Sequence, residues 1–286
     1  MFTYFISRAN NEKFILKYVH EDNLEDLQDL KGRLRGTNYV RLVKDTIPEE
    51  SMFVFQYFTD HLLRLAQKDL PLALTKRILK DALRGIVELH DRDIVHTADI
   101  KADNILINWN EDQDGIGIER VQIADLEDAV YVPPGQNIVG LQAGNWMWRS
   151  PEAHVRGPIN KPSDIFSFAL VCIHAVHKRV IFAVGEEELV GNLNREATVV
   201  ARQMSYFADR EGLCAFLDHI GDNPWVPLLE AARDGAFKKD KPRRLFSLLG
   251  SVDEDFENLV YAMANFDPAK RITAREALAH KWFDGV

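Results

Sequence analysis

Two cysteines in 286 residues are too few for a disulfide framework. Cys172 lies in an apolar helical run and Cys214 follows Leu213, so both read as thiols of a reducing, intracellular compartment, cytoplasm or nucleus. No apolar run approaches membrane-spanning length and residues 1–16 have no signal-peptide layout, so no membrane partner is expected. Basic side chains are in the minority, 35 against 44 acidic ones, which speaks against a nucleic-acid partner. The one basic run, residues 238–244, reads as a solvated loop. Internal repeats and low-complexity tracts are absent too. What remains is a chain with 46% hydrophobic and 28% charged residues, large enough for two lobes or one big domain.

One stretch is dense in chemistry. Two short apolar runs, Ile94-Val95 and Ile105-Leu106-Ile107, bracket a polar loop holding Asp99, Lys101 and Asn104. Buried as short strands, such runs fix the loop on rigid supports, so its polar side chains converge. A third apolar run, Val121-Gln122-Ile123-Ala124, ends in the acidic turn Asp125-Leu126-Glu127-Asp128. Upstream, the aromatic and β-branched segments 2–7 and 13–19 read as an antiparallel hairpin that carries Lys17. A helix follows with Leu24, Leu27, Leu30 and Leu34 on one face, and residues 74–90 form a strongly amphipathic helix. The acidic segment 111–117 reads as a solvated turn, because its spacing does not fit a calcium loop.

The polar loop resembles the catalytic loop of eukaryotic protein kinases, His-Arg-Asp-Leu-Lys-x-x-x-Asn, and further kinase motifs follow in order. Phe14-Ile15-Leu16-Lys17 is similar to Val-Ala-Ile-Lys, and Asn38-Tyr39-Val40-Arg41-Leu42 to the Asn-Ile-Val-Arg-Leu strand after the αC helix. Val121 to Glu127 resembles Val-x-Ile-x-Asp-Phe-Gly, and Arg149-Ser150-Pro151-Glu152 resembles Arg-Ala-Pro-Glu. Ser163-Asp164-Ile165-Phe166-Ser167-Phe168 resembles Ser-Asp-Val-Trp-Ser-Phe, and residues 265–283 the closing kinase signature Asp-Pro-x-x-Arg-x-Thr. The resemblance implies an α+β, two-lobed protein-kinase fold over residues 1–286. Residues 1–57 would be a small, truncated β-rich lobe with one αC-like helix, and residues 58–286 a larger, mostly helical lobe. The flavour is that of short serine/threonine kinase-like proteins of filamentous fungi.

The implied activity is transfer of the γ-phosphoryl group of ATP, with Mg²⁺, to a serine or threonine hydroxyl of a protein substrate. By resemblance, Asp99 is the base, Lys101 meets the phosphate, Asn104 and Asp125 hold the metal, and Lys17 grips the α- and β-phosphates. Backbone groups of the hinge, Gln56, Tyr57 and Phe58, would bond the adenine behind the gatekeeper Phe55. Asp164 is expected to hold the catalytic-loop backbone, and Arg271 to pair with Glu152. Nothing in the sequence indicates an oligomeric state.

Several residues depart from the pattern. No Gly-rich phosphate loop precedes the hairpin, and Thr97 and Ala98 both stand between His96 and Asp99, where the pattern has one residue. Leu27 falls where the acidic partner of Lys17 would, with Asp26 beside it. Glu127 replaces a glycine, and its carboxylate is placed either to help hold the ion or to repel the nucleotide phosphates. Before Ser150 the activation segment has Tyr131 as its only hydroxyl, and the loop lacks the arginine that would clamp a phosphate. Control by loop phosphorylation is therefore not expected. These departures also fit a second reading, a pseudokinase that keeps the shape as a binding or scaffolding module.

Overall fold

A computed structural model describes all residues except 1–3, 10–11, 19–23, 98, 114, 143, 190–194, 237–245, 247–249 and 251–252. The basic run at 238–244 and the inserted Ala98 thus lie outside the described residues.

The small lobe is built on the expected hairpin. Strands β1 (Tyr4–Ala9) and β2 (Glu12–Tyr18) pair antiparallel, and β3 (Asp45–Ile47) and β4 (Met52–Gln56) complete a four-stranded sheet of order β1-β2-β4-β3. Lys17 stands opposite Phe53 of β4. Helix α1 (Leu24–Arg33) buries Leu27 and Leu30, with Leu34 just past its end, as their helical spacing requires. Strand β4 then leads through residues 57–59 to β5 (Asp60–His61) and the short helix α2 (Leu62–Leu65).

Helix α3 (Leu72–His90) is the spine of the large lobe. Ile78, Leu79, Ala82, Leu83 and Ile86 are fully buried, and burying each large one contributes about 1.5–3 kcal/mol. One residue on this helix has to be small: a Cβ on Gly85 would stand 2.6 Å from the Tyr39 carbonyl oxygen and 2.7 Å from the Ile123 side chain. That close approach brings the segment after α1 against α3, where Glu88 accepts hydrogen bonds from the Asn38 and Tyr39 amides, both at 2.9 Å.

After β6 (Ile94–Val95) the chain forms a long hairpin, β7 (Ile105–Asp112) and β8 (Gly115–Ile123). The acidic segment read as a solvated turn is therefore mostly strand: Glu111, Asp112, Gly115 and Gly117 all sit in the β7–β8 ladder. Trp109, Ile116 and Ile118 provide the apolar face that sustains pairing there, a signal masked by the intervening charges. Strand β9 (Val130–Tyr131) pairs antiparallel with β6, tying the start of the activation segment to the strand before the polar loop.

The helices α4 (Pro151–His154), α5 (Lys161–His177), α6 (Arg195–Phe207), α7 (Arg210–Ile220), α8 (Val226–Ala236), α9 (Glu254–Met263) and α10 (Ala274–Leu278) complete the lobe. Helix α5 is buried along most of its length, which its nearly unbroken apolar sequence anticipates. Its N-cap is Asn160, whose side chain accepts from the Lys161 amide at 2.7 Å. Ser163 and Asp164, plausible caps by type, are thereby left for other work. Cys172 is buried on α5 and Cys214 is exposed on α7. Among the described residues no helix is long and apolar enough to cross a membrane.

Candidate active site

The polar loop closes on Asp99. Lys101 Nζ lies 2.8 and 3.1 Å from the two carboxylate oxygens of Asp99. Asn104 Nδ2 donates to the Asp99 backbone carbonyl at 3.1 Å and to its Oδ2 at 3.0 Å. Asp99 is only 8% exposed, so its rotamer is fixed by these two neighbours. Burial works against the Lys101 charge, but the adjoining Asp99 outweighs it and raises the ammonium's pKa.

The loop itself is hung from α5. Asp164 Oδ2, fully buried, accepts from the His96 backbone amide at 2.8 Å and lies 3.1 Å from His90 Nε2. The ring of His96 reaches the Ala124 carbonyl at 3.0 Å, and the Ala124 amide donates to the Asn104 carbonyl at 2.9 Å. Asp125, the next residue, is thus set beside the Asn104 end of the loop. Thr97 precedes Ala98 in this loop. It sits at φ 61°, a left-handed conformation that β-branched residues rarely adopt, with Oγ1 2.8 Å from the Asp128 carbonyl.

Lys17 finds its carboxylates on the turn after β8. Its Nζ lies 2.7 Å from Asp125 Oδ1 and 2.7 Å from Glu127 Oε1. Asp125 adopts φ 64°, which Asp tolerates better than most residues and which turns the chain so that both side chains meet Lys17. Burial alone would lower the Lys17 pKa; the two carboxylates, Asp125 foremost, raise it instead. Glu127 therefore acts on Lys17, which neither of the two roles open to it from sequence included. Leu27 packs into the core, while Asp26 lines a cavity of about 600 Å³ between α1 and the activation segment. Asp29, Glu127 and Asp128 also line that cavity, which makes it acidic.

The hinge carries a contact that sequence reasoning missed. Arg41 Nε and Nη2 donate to the Gln56 carbonyl at 3.1 and 2.7 Å, and the guanidinium lies 4.8 Å from the Phe55 ring centre. The Tyr57 amide donates to the Lys13 carbonyl at 3.2 Å, and Phe58 is buried. The space between Lys17, Arg41, Phe55, Asp125 and Glu127 is a cavity of about 50 Å³. No sequence signal marks Arg41, since an arginine at that place fits the kinase pattern as an ordinary strand residue.

A family model of the protein kinase domain matches residues 4–283. The chain belongs to the protein kinase family. Among curated relatives, human serine/threonine-protein kinase MAK is 25% identical over 272 residues, covering 91% of this chain and 38% of MAK. Cell division control protein 2 homolog 3 of Trypanosoma brucei brucei is 25% identical over 293 residues, covering 97% of this chain and 86% of that protein. The kinase domain thus spans about two-fifths of the length of human and rat MAK. The solved yeast RNA Pol II CTD kinase CTDK-1 complex contains a chain that superposes with a TM-score of 0.75 at 17% identity, covering 100% of this chain and 93% of that one, a likeness of fold. MAK is by name a serine/threonine-protein kinase.

Within the kinase fold, the pair expected at the base of the activation segment is present. Arg271 Nη2 meets Glu152 Oε2 at 2.9 Å with both side chains buried, and Arg271 Nε donates to the Asn265 carbonyl at 2.7 Å. Ser150 Oγ lies 2.6 Å from Ser163 Oγ, which fixes the end of the activation segment on α5.

Proposed function

We propose that the kinase transfers the γ-phosphoryl group of a nucleoside triphosphate, ATP by family resemblance, to a serine or threonine hydroxyl of a protein. The observation that carries this reading is the clamp of Lys101 and Asn104 on Asp99. An oriented carboxylate beside an ammonium suits an in-line displacement. The substrate hydroxyl oxygen bonds to the γ-phosphorus as the bond to the β–γ bridging oxygen breaks. The hydroxyl proton goes to Asp99, Lys101 meets the charge on the transferred group, and the diphosphate leaves. Asp125 and Asn104 suit magnesium: both offer hard oxygen, and the Asn104 amide nitrogen is engaged by Asp99, which leaves its oxygen as the ligand atom. Mg²⁺ would supply neutralisation of phosphate charge there.

A second reading, the binding module without turnover, is favoured by Arg41 on the Gln56 carbonyl and by the small cavity beside Lys17. One experiment separates the two. Purified protein with magnesium and nucleotide is expected to label a generic serine/threonine substrate, and Asp99→Asn to abolish labelling with an unchanged melting temperature. Labelling that survives the substitution, or none in the unaltered protein with any nucleotide, refutes the phosphotransfer reading.

A further inference from the structure

The start of the activation segment is zipped to the strand before the polar loop, and Thr97 makes the last rung. The Val132 amide donates to the Asp93 carbonyl at 2.7 Å, and Ile94 and Val95 stand opposite Tyr131 and Val130. Extending that register by two residues sets Thr97 opposite Asp128. There the chain leaves the strand, with Thr97 at φ 61°. The side chain takes over from the backbone: Thr97 Oγ1 shares its one proton between the His96 carbonyl at 2.7 Å and the Asp128 carbonyl at 2.8 Å.

That rung holds the turn that faces Lys17. Residues 126–129 form a tight turn, closed by the Ala129 amide on the Leu126 carbonyl at 3.1 Å, with Glu127 and Asp128 at its centre. Asp125 stands just before it, and Asp125 and Glu127 each lie 2.7 Å from Lys17 Nζ. A turn fixed only at its ends can pivot about them; a bond to the Asp128 carbonyl, inside the turn, fixes its tilt. Thr97 is fully buried, and His96 before it is tied through its amide to Asp164 and through its ring to the Ala124 carbonyl. A β-branched residue at positive φ is strained, and such strain persists where the surroundings over-determine it.

We propose that Thr97 is a positioning residue, whose hydroxyl pins the turn 126–129 to the polar loop and thereby keeps Asp125 and Glu127 on Lys17. The pin is permanent, in a loop without the arginine that would clamp a phosphate. Its effect on rate rests on the phosphotransfer reading above; its effect on the turn and on Lys17 does not.

The test compares the unaltered chain with three variants. Thr97→Val keeps the branched shape and the strain, Thr97→Ser keeps the hydroxyl, and Thr97→Gly suits φ 61° and so secures a folded variant without the hydroxyl. Amide hydrogen exchange over residues 126–132 is expected to speed up about fivefold in Thr97→Val and Thr97→Gly, as one hydrogen bond contributes net, and to stay within about twofold in Thr97→Ser. An ammonium held by two carboxylates is a poor nucleophile, so acetylation of Lys17 by acetic anhydride should also quicken in the first two variants and not in Thr97→Ser. In the phosphotransfer assay the rate at saturating nucleotide should fall about tenfold or more in Thr97→Val and Thr97→Gly, and Thr97→Ser should retain it. Unchanged exchange over 126–132 in Thr97→Gly overturns the proposal. So does a Thr97→Ser protein as altered as Thr97→Val, since shape rather than the hydroxyl would then hold the turn. Faster exchange with unchanged Lys17 acetylation overturns it too, because the rung would then be structural only. If the unaltered protein labels no substrate, the phosphotransfer reading falls, while exchange and acetylation still decide the role of Thr97.

Discussion

Asp125 and Glu127 share Lys17 unequally. Burial pushes both carboxyls up; at Asp125 the nearby Lys17 charge overcomes it and the pKa falls, whereas at Glu127 burial prevails and the pKa rises. Asp125 is thus the firmer anion, suited to a metal, and Glu127 the one that can remain with Lys17 when Asp125 turns to other work. Glu127→Gln is expected to lower the turnover rate by about tenfold or more, because a lysine that, on the proposed reading, grips the phosphates loses rate on that scale when it drifts by an ångström. The melting temperature should change little, because Gln keeps the shape of the side chain and its amide oxygen still accepts from Lys17 Nζ. A rate within twofold of the unaltered kinase at saturating nucleotide would show that Glu127 does not position Lys17.

Between elements, buried polar ties do what apolar packing cannot, fixing one loop against one helix. Arg271→Ala is expected to cost about 3–5 kcal/mol in urea unfolding, since it strands the buried Glu152 carboxylate. Gly85→Ala is expected to cost about 1–3 kcal/mol, because its methyl group would push Tyr39 and Ile123 apart at the point where β8 leads into Asp125. A stability loss in Gly85→Ala below about 0.5 kcal/mol would mean that the close approach relaxes freely. Ties of this kind were largely legible in the sequence. Asp99, Lys101 and Asn104 sit within one loop, so spacing alone brings them together, and the Asp164 and Arg271 contacts come with the kinase motifs that contain them. The Arg41–Gln56 contact was not legible. It joins the irregular segment after α1 to the end of β4, two places 15 residues apart, and neither residue type is unusual there. The Lys17–Glu127 pair was missed for a related reason: it needs the backbone turn at Asp125, which is a matter of φ and leaves no periodicity behind.

For the whole molecule, acid is the condition that tests the polar interior. His154 is fully buried, and burial with Arg149 nearby lowers its pKa to about 3. The unfolded chain therefore binds a proton at this site as pH falls through about 6.5 while the folded chain does not until about 3, so folding loses about 1.4 kcal/mol per pH unit inside that window. Glu152, depressed by Arg271 against its burial, adds to the loss below its ordinary range, where the unfolded carboxylate takes up a proton first. Unfolding free energy should accordingly drop between pH 6.5 and 5, and His154→Phe should flatten that slope; an unchanged slope would remove His154 from the account. A further consequence follows from where Lys17 finds its partners. The lysine belongs to the sheet of the small lobe and both carboxylates to the large one, so the cleft is shut by an ionic latch. Such a latch makes the escape of a bound nucleotide a matter of electrolyte. Potassium chloride, by weakening the attraction across the cleft, should hasten dissociation, and the Lys17→Met kinase should release its nucleotide at a pace less sensitive to salt.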